Sequence, residues 1–274
     1  MAQTTQPQPD TASDIIVTGK NRQKQVRDFV KALTPAASSG ILPRFIDQVC
    51  PYATGLLPVQ NERIVARVRY VAHLAGLDVA KPGCHPNAFI IVTPSKREFI
   101  MGLAKRANNA FALMSYAEVR HLAKSPGPAA AWQLAGPVDT AGNPLRWDED
   151  LNAYANYSKE PASRLRSPTH TGFDASVVVV ESGSLEGLTA TQLADYAALR
   201  LFIRMDPARL PPGAPPTILN ILEAPMGSAV PITMTAWDAG LLRGLYLSTA
   251  NLRAQSERSQ IAGTIDKELG ADRR

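Results

Sequence analysis

The apolar positions of the chain follow two periods. Ile64, Val65, Val68, Val71 and Leu74 recur at the spacing of one helix face, with Pro58 to open the element and Gly76 to stop it. The same period puts Val26, Phe29, Val30 and Leu33 on one side of a helix over 22–33, ended by Pro35. Ser95-Lys96-Arg97-Glu98, Ser115-Tyr116-Ala117-Glu118 and Thr189-Ala190-Thr191-Gln192 each set a hydroxyl three residues before an acid or amide. That is the spacing of a capping box, and it opens three further helices: one running to about Arg106, a shorter one after Ser115, and one over 189–203. Thr235 caps a helix over 236–247, and a last amphipathic helix over 253–269 aligns Ile261, Ile265 and Leu269. Short apolar runs at 88–93 and 176–181 predict buried strands, and 129–135 predicts another. Residues 41–49 form a short element turning Phe45 and Ile46 inward, and 217–222 is a short apolar stretch.

Between these elements the pattern fails in two places. Residues 1–13 are Gln-, Thr- and Pro-rich and predict disorder, followed by a short extended segment, Asp14-Ile15-Ile16-Val17-Thr18-Gly19. Residues 136–174 are rich in Pro, Gly, Asn and Asp and predict a long irregular excursion or a loose hairpin. No internal repeat is visible. Strands are expected to be fewer than helices and not to alternate regularly with them. The predicted class is therefore α+β, mostly helical with a small sheet: a flexible arm over 1–20 and one domain over 21–270.

Composition agrees with a packed core. Of 274 residues, 45% are hydrophobic and 19% charged, which excludes a disordered chain. Part of the net charge of +5 comes from Lys20, Lys24, Arg27 and Lys31 at helical spacing opposite the apolar face of the first helix. They read as a solvated face; no aromatics interleave with them, so no nucleic-acid partner is expected. No run approaches the roughly 18 apolar residues of a transmembrane segment. The opening Met1-Ala2-Gln3-Thr4-Thr5-Gln6-Pro7 reads like a mature N-terminus after a removed signal, so a periplasmic or secreted location is expected. The two cysteines, Cys50 and Cys84, sit beside Pro51 and Gly83 at element ends. A disulfide in an oxidising compartment is the preferred reading, against two unrelated buried thiols. Cys50, Cys84 and His85 lack the paired spacing of structural zinc.

The motifs of familiar chemistry are missing. No serine has the flanking glycines of a nucleophile elbow, and neither phosphate-cradling glycine pattern occurs. None of His73, His85, His121 and His170 has the second histidine four residues on that zinc hydrolysis needs. No cofactor and no metal site is expected. Gly240 and Gly244, four apart in one helix, predict close packing against a neighbour.

The C-terminal third carries a resemblance. Leu-Thr-Ala-Thr-Gln-Leu-Ala-Asp-Tyr-Ala-Ala-Leu-Arg at 188–200 precedes Pro216-Thr217-Ile218-Leu219-Asn220 and a helix from Thr235-Ala236-Trp237-Asp238 to Leu245-Tyr246. Together with Leu42-Pro43-Arg44-Phe45 and Asn87-Ala88-Phe89-Ile90, this resembles a proteobacterial family of unknown function that includes lipoproteins and other exported proteins. The layout is similar in turn to zincin peptidases: strand, metal-binding helix, link, C-terminal helical part. The resemblance implies that the 189–203 helix would carry the zinc ligands, but it carries Thr191, Gln192, Asp195 and Tyr196, which cannot hold the ion. The segment Asp14 to Gly19 also resembles a TonB box, which implies strand addition to an envelope partner.

Two functions follow as expectations. The first is a non-catalytic exported protein that binds a protein or peptide on a degenerate peptidase-like scaffold. The second is a hydrolase with an atypical site, in which Asp195, Tyr196, Asn220, Asp238 and His85 converge. Each of these residues also has a plainer reading: Asp195 and Asp238 as capping or solvent-facing carboxylates, Asn220 as a turn residue, Tyr196 as core, His85 as a loop histidine.

Overall fold

The computed structural model describes residues 11–37, 40–111, 114–156, 167–225, 227–250 and 252–271. Its elements in chain order are α1 (Thr11–Leu33), β1 (Arg44–Phe45), β2 (Pro51–Thr54), α2 (Pro58–Ala75), β3 (Ala88–Thr93), α3 (Lys96–Arg106), α4 (Tyr116–Ala123), β4 (Ala129–Asp139), β5 (Arg146–Asp148), β6 (Ala153–Ala155), β7 (Thr169–Glu181), α5 (Ala190–Phe202), α6 (Ala236–Leu247) and α7 (Ala254–Ala271). The class is α+β.

Local signals set most boundaries. Gly76 ends α2 at φ +88°, a conformation that a side chain would strain. The hydroxyls of Ser115, Thr189 and Thr235 cap α4, α5 and α6, and the backbone N–H of each donates in return to the side-chain oxygen of the residue three on.

β7 is the hub of the sheet. Its second half pairs in parallel with β3, Ile90 opposite Val178, and β3 pairs in parallel with β2. Its first half pairs with β1, Phe45 opposite Phe173. Its other edge carries β4, antiparallel along nearly its whole length. The helix α2 makes the crossover that parallel neighbours β2 and β3 require.

The alternation of side chains divides the core in two. Ala88, Ile90, Val92, Val178 and Val180 face a large cluster built with α1, α2, α5, α6 and α7. Val177, Val179, Ala130 and Trp132 face a smaller one with Ile100, Phe111, Val119 and Ala123. Trp132 stacks on Phe111 at 5.0 Å, and its indole N–H donates to the Ala110 carbonyl at 2.8 Å. Every residue of α5 from Gln192 to Phe202 is buried. α6 and α7 approach closely: a Cβ on Gly240 or Gly244 would lie 2.7 or 2.8 Å from a Cα of α7.

Cys50 and Cys84 are joined, with Cα atoms 6.0 Å apart. The bond ties the start of β2 to the turn before β3. Asn87 reinforces the tie, its Oδ1 accepting from Cys50 N–H at 2.7 Å and its amide donating to the Gln48 carbonyl at 3.0 Å.

Several expectations are corrected. Residues 14–19, expected extended, run within α1, whose helix starts at Thr11; residues 1–10 lie outside the described residues. The irregular excursion is largely strand: β4 continues to Asp139, β7 begins at Thr169, and β5 and β6 pair between them. Residues 157–166 lie outside the described residues. Among the described residues strands equal α-helices in number, because β1, β5 and β6 are too short to show a period. Leu74 is 52% exposed, its place on α2 taken by Ala72 and Ala75. His170 is on β7 and buried, not in a loop.

Candidate functional site

Three of the candidate residues lie outside any common site, two of them holding the fold. Asp195 is fully buried, neither solvent-facing nor a cap. Arg67 of α2 grips it with Nε and Nη2, and the Thr233 hydroxyl and Met234 N–H donate to its Oδ2 at 2.6 and 2.8 Å. Asp238 is the capping carboxylate of α6, but buried. It accepts from Thr235 N–H and hydroxyl and, across a chain turn, from Ile218 N–H at 2.9 Å and the Thr217 hydroxyl at 2.5 Å. Burial pushes its carboxyl up, while these four donors pull the other way. His85 is exposed in the loop before β3.

The other two, Tyr196 and Asn220, line one small pocket of about 130 Å3 together with Arg200 and Glu223. Tyr196 and Arg200 stand one turn apart on α5. Arg200 Nη1 donates to Tyr196 Oη at 2.9 Å, and its Cζ lies 5.7 Å from the ring centre. Burial raises the Tyr196 hydroxyl above its ordinary value, so it stays protonated. Asn220 is a turn residue whose carbonyl accepts from Glu223 N–H at 3.2 Å.

This pocket is one end of a longer trough along β4. The hydrogen-bond phase of β7 shows which way β4 faces. Ser176 N–H donates to the Asn87 carbonyl, toward β3, and Glu181 N–H to the Pro128 carbonyl, toward β4. Alternation then pairs Ala130 and Trp132 with β7 through their peptide groups. The N–H and C=O of Ala129, Ala131 and Gln133 point the other way, off the sheet. Beside Ala131 and Gln133 lies a groove of about 570 Å3, walled by Phe111 and Met114 on one side and by Arg204 and Met205 on the other. A second hollow of about 550 Å3 shares Ala131, Met114 and Met205 with it and reaches Arg200. Arg200 and Ser125 in turn line the small pocket.

The trough is braced from below. The Gln133 amide donates to the Arg200 carbonyl at 3.0 Å, fixing the end of α5 to the open strand. The buried Lys96 ammonium donates to the carbonyls of Ser125 and Gly127, shaping the turn at the pocket rim. Burial lowers the Lys96 pKa. None of Lys96, Gln133 and Arg200 stands out in the sequence. The one available signal is an arginine in a helix whose other faces are largely apolar.

The residues under the trough do not fit a zinc ion. The i, i+4 positions of α5 there are a tyrosine and an arginine, and Asp195 is committed to Arg67. Among the described residues no three His, Cys, Asp or Glu side chains gather as a metal set. Comparison with protein-family models, with curated proteins and with solved structures finds no match for the chain.

Proposed function

We propose that this chain is an exported, non-catalytic binding protein that takes an extended peptide segment as an added strand on the open edge of β4. The observation that carries this is the pair of residues Ala131 and Gln133, whose peptide groups face the walled groove and, among the described residues, no further strand. Unpaired edges invite a further strand, and backbone bonds supply its affinity while neighbouring hollows select side chains. The resemblance, which implies a peptidase-like scaffold whose 189–203 helix lacks zinc ligands, supports binding over catalysis. The Cys50–Cys84 bond supports an oxidising compartment, and hence export.

The test is retention of a random pool of short peptides by the immobilised chain, with Ala131→Pro as the control. Proline there removes an outward N–H but no bond to β7, so the sheet keeps its ladder. Loss of retention with an unchanged melting temperature is expected. Equal retention by both proteins overturns the reading.

A hydrolase is the second reading, favoured by the convergence of Tyr196, Arg200 and Asn220 on one pocket. Release of amines from a peptide pool, abolished by Tyr196→Phe, would support it over simple binding.

A further inference from the structure

Arg200 is out of keeping with the rest of the core. It is 8% exposed, yet among the described residues it makes no ion pair. The other strongly buried arginine, Arg44, has Glu257 against it. Of the Arg200 guanidinium, Nη1 gives one N–H to Tyr196, and Nε is buried with no partner among the described residues. A buried donor left unmatched is costly, and a buried cation more so. The location at the last turn of α5 eases the charge but fills no hydrogen bond.

The place of this side chain in the trough gives the cost a purpose. Arg200 lines both the hollow that runs beside Ala131 and the small pocket in which the trough ends. Its neighbours there are the Tyr196 hydroxyl, which stays protonated, and the turn at Ser125 held by the Lys96 ammonium. Glu223 lines the same pocket, and Asp206 lines its mouth, but both are exposed and neither pairs with Arg200.

We infer that Arg200 is a carboxylate-binding subsite at the end of the β4 groove, receiving a carboxylate of the peptide added to that strand. The inference rests on the proposed strand addition. A guanidinium matches a carboxylate in shape and can bond it through two N–H groups, here one each on Nη1 and Nη2, since Nε is enclosed. Tyr196 holds the fork in place from behind. Glu223 competes for the same cation, so its charge weakens the incoming carboxylate.

The unaltered chain is offered two random peptide pools, alike except that one ends in free carboxylates and the other in amides. Retention of the free-acid pool is expected to exceed that of the amides by about tenfold. Arg200→Gln should erase the difference, and Glu223→Gln should widen it; a melting curve of each variant accompanies the binding. Amides retained only when they carry Asp or Glu at one fixed position would support the subsite, with a side chain as the source of the carboxylate. Equal retention of both pools without acidic enrichment overturns the subsite and leaves strand addition standing. No retention of either pool overturns strand addition, and the subsite with it.

Discussion

Arg67, midway along α2, holds Asp195 of α5 through two near-parallel bonds, Nε to Oδ1 at 2.7 Å and Nη2 to Oδ2 at 3.0 Å. The same guanidinium reaches the Thr233 hydroxyl at 2.8 Å, and that hydroxyl donates to the same carboxylate. One acid thus joins two helices and the segment leading into α6. Removing it strands a half-buried cation, a hydroxyl and a backbone N–H together. Asp195→Ala is expected to lower stability by about 3 kcal/mol, read as a shift of the urea midpoint. Arg67→Ala should also destabilise, and the double variant should cost less than the two singles added.

Reduction of Cys50–Cys84 opens a loop whose ends are 34 residues apart. The loss of that cross-link is expected to cost about 3 kcal/mol. Urea melts with and without reductant measure it, and the double Cys→Ser variant should match the reduced protein. Identical melts would mean that the thiols are not joined in solution.

Gly244→Ala sets a methyl 2.8 Å from the Ile261 Cα, and Gly240→Ala one at 2.7 Å from the Ile265 Cα. The obstacle is backbone, so trimming Ile261 or Ile265 cannot relieve it. Each substitution is expected to destabilise by about 1–3 kcal/mol as α6 and α7 are pushed apart. Gly263, also on α7, meets nothing within 4 Å. Gly263→Ala should instead stabilise by roughly 0.5–1 kcal/mol through helix propensity. Thermal melts of the three variants separate the two effects by sign.

His170 of β7 is buried near Arg44 and Asp139, and burial, aided by Arg44, pulls its pKa below the ordinary 6.5. The unfolded chain therefore binds a proton more readily than the folded one. This contribution is complete above the unfolded value and is lost as the pH falls through that value toward the folded one. The melting temperature is expected to decline on acidification from about pH 7 to about pH 5. His170→Gln, which cannot titrate, should flatten that part of the profile.

Signals confined to a few neighbouring residues are legible in the sequence itself. Pro58, Gly76 and the hydroxyls of Ser115, Thr189 and Thr235 mark helix ends because capping is settled within four residues. The disulfide is legible because both cysteines sit at element ends. The extended expectation for residues 14–19 fails because β-branched Ile15, Ile16 and Val17 suggest a strand only when taken apart from the helix that continues from them. The trough is not legible at all. Its open edge depends on which way the peptide groups of β4 face, and that is set by pairing with a strand some forty residues later. Arg200 looks like an ordinary last-turn cation because nothing near it in sequence shows that α5 is enclosed. Asp195 and Asp238 suggest chemistry by residue type, yet their neighbours, Arg67 on α2 and Thr217 before α6, employ them as fasteners.

The position of β7 at the centre of the sheet bears on how the chain is made. Both β1 and β3 pair with it, yet among the described residues it is the last strand to be synthesised. A chain still on the ribosome, complete through β6, holds the β2 and β3 residues but lacks the strand on which β1, β3 and β4 pair. Its apolar strand edges stay open, and such long-range closure is slow. Until residue 181 emerges, the sheet lacks the one strand that joins β1, β3 and β4.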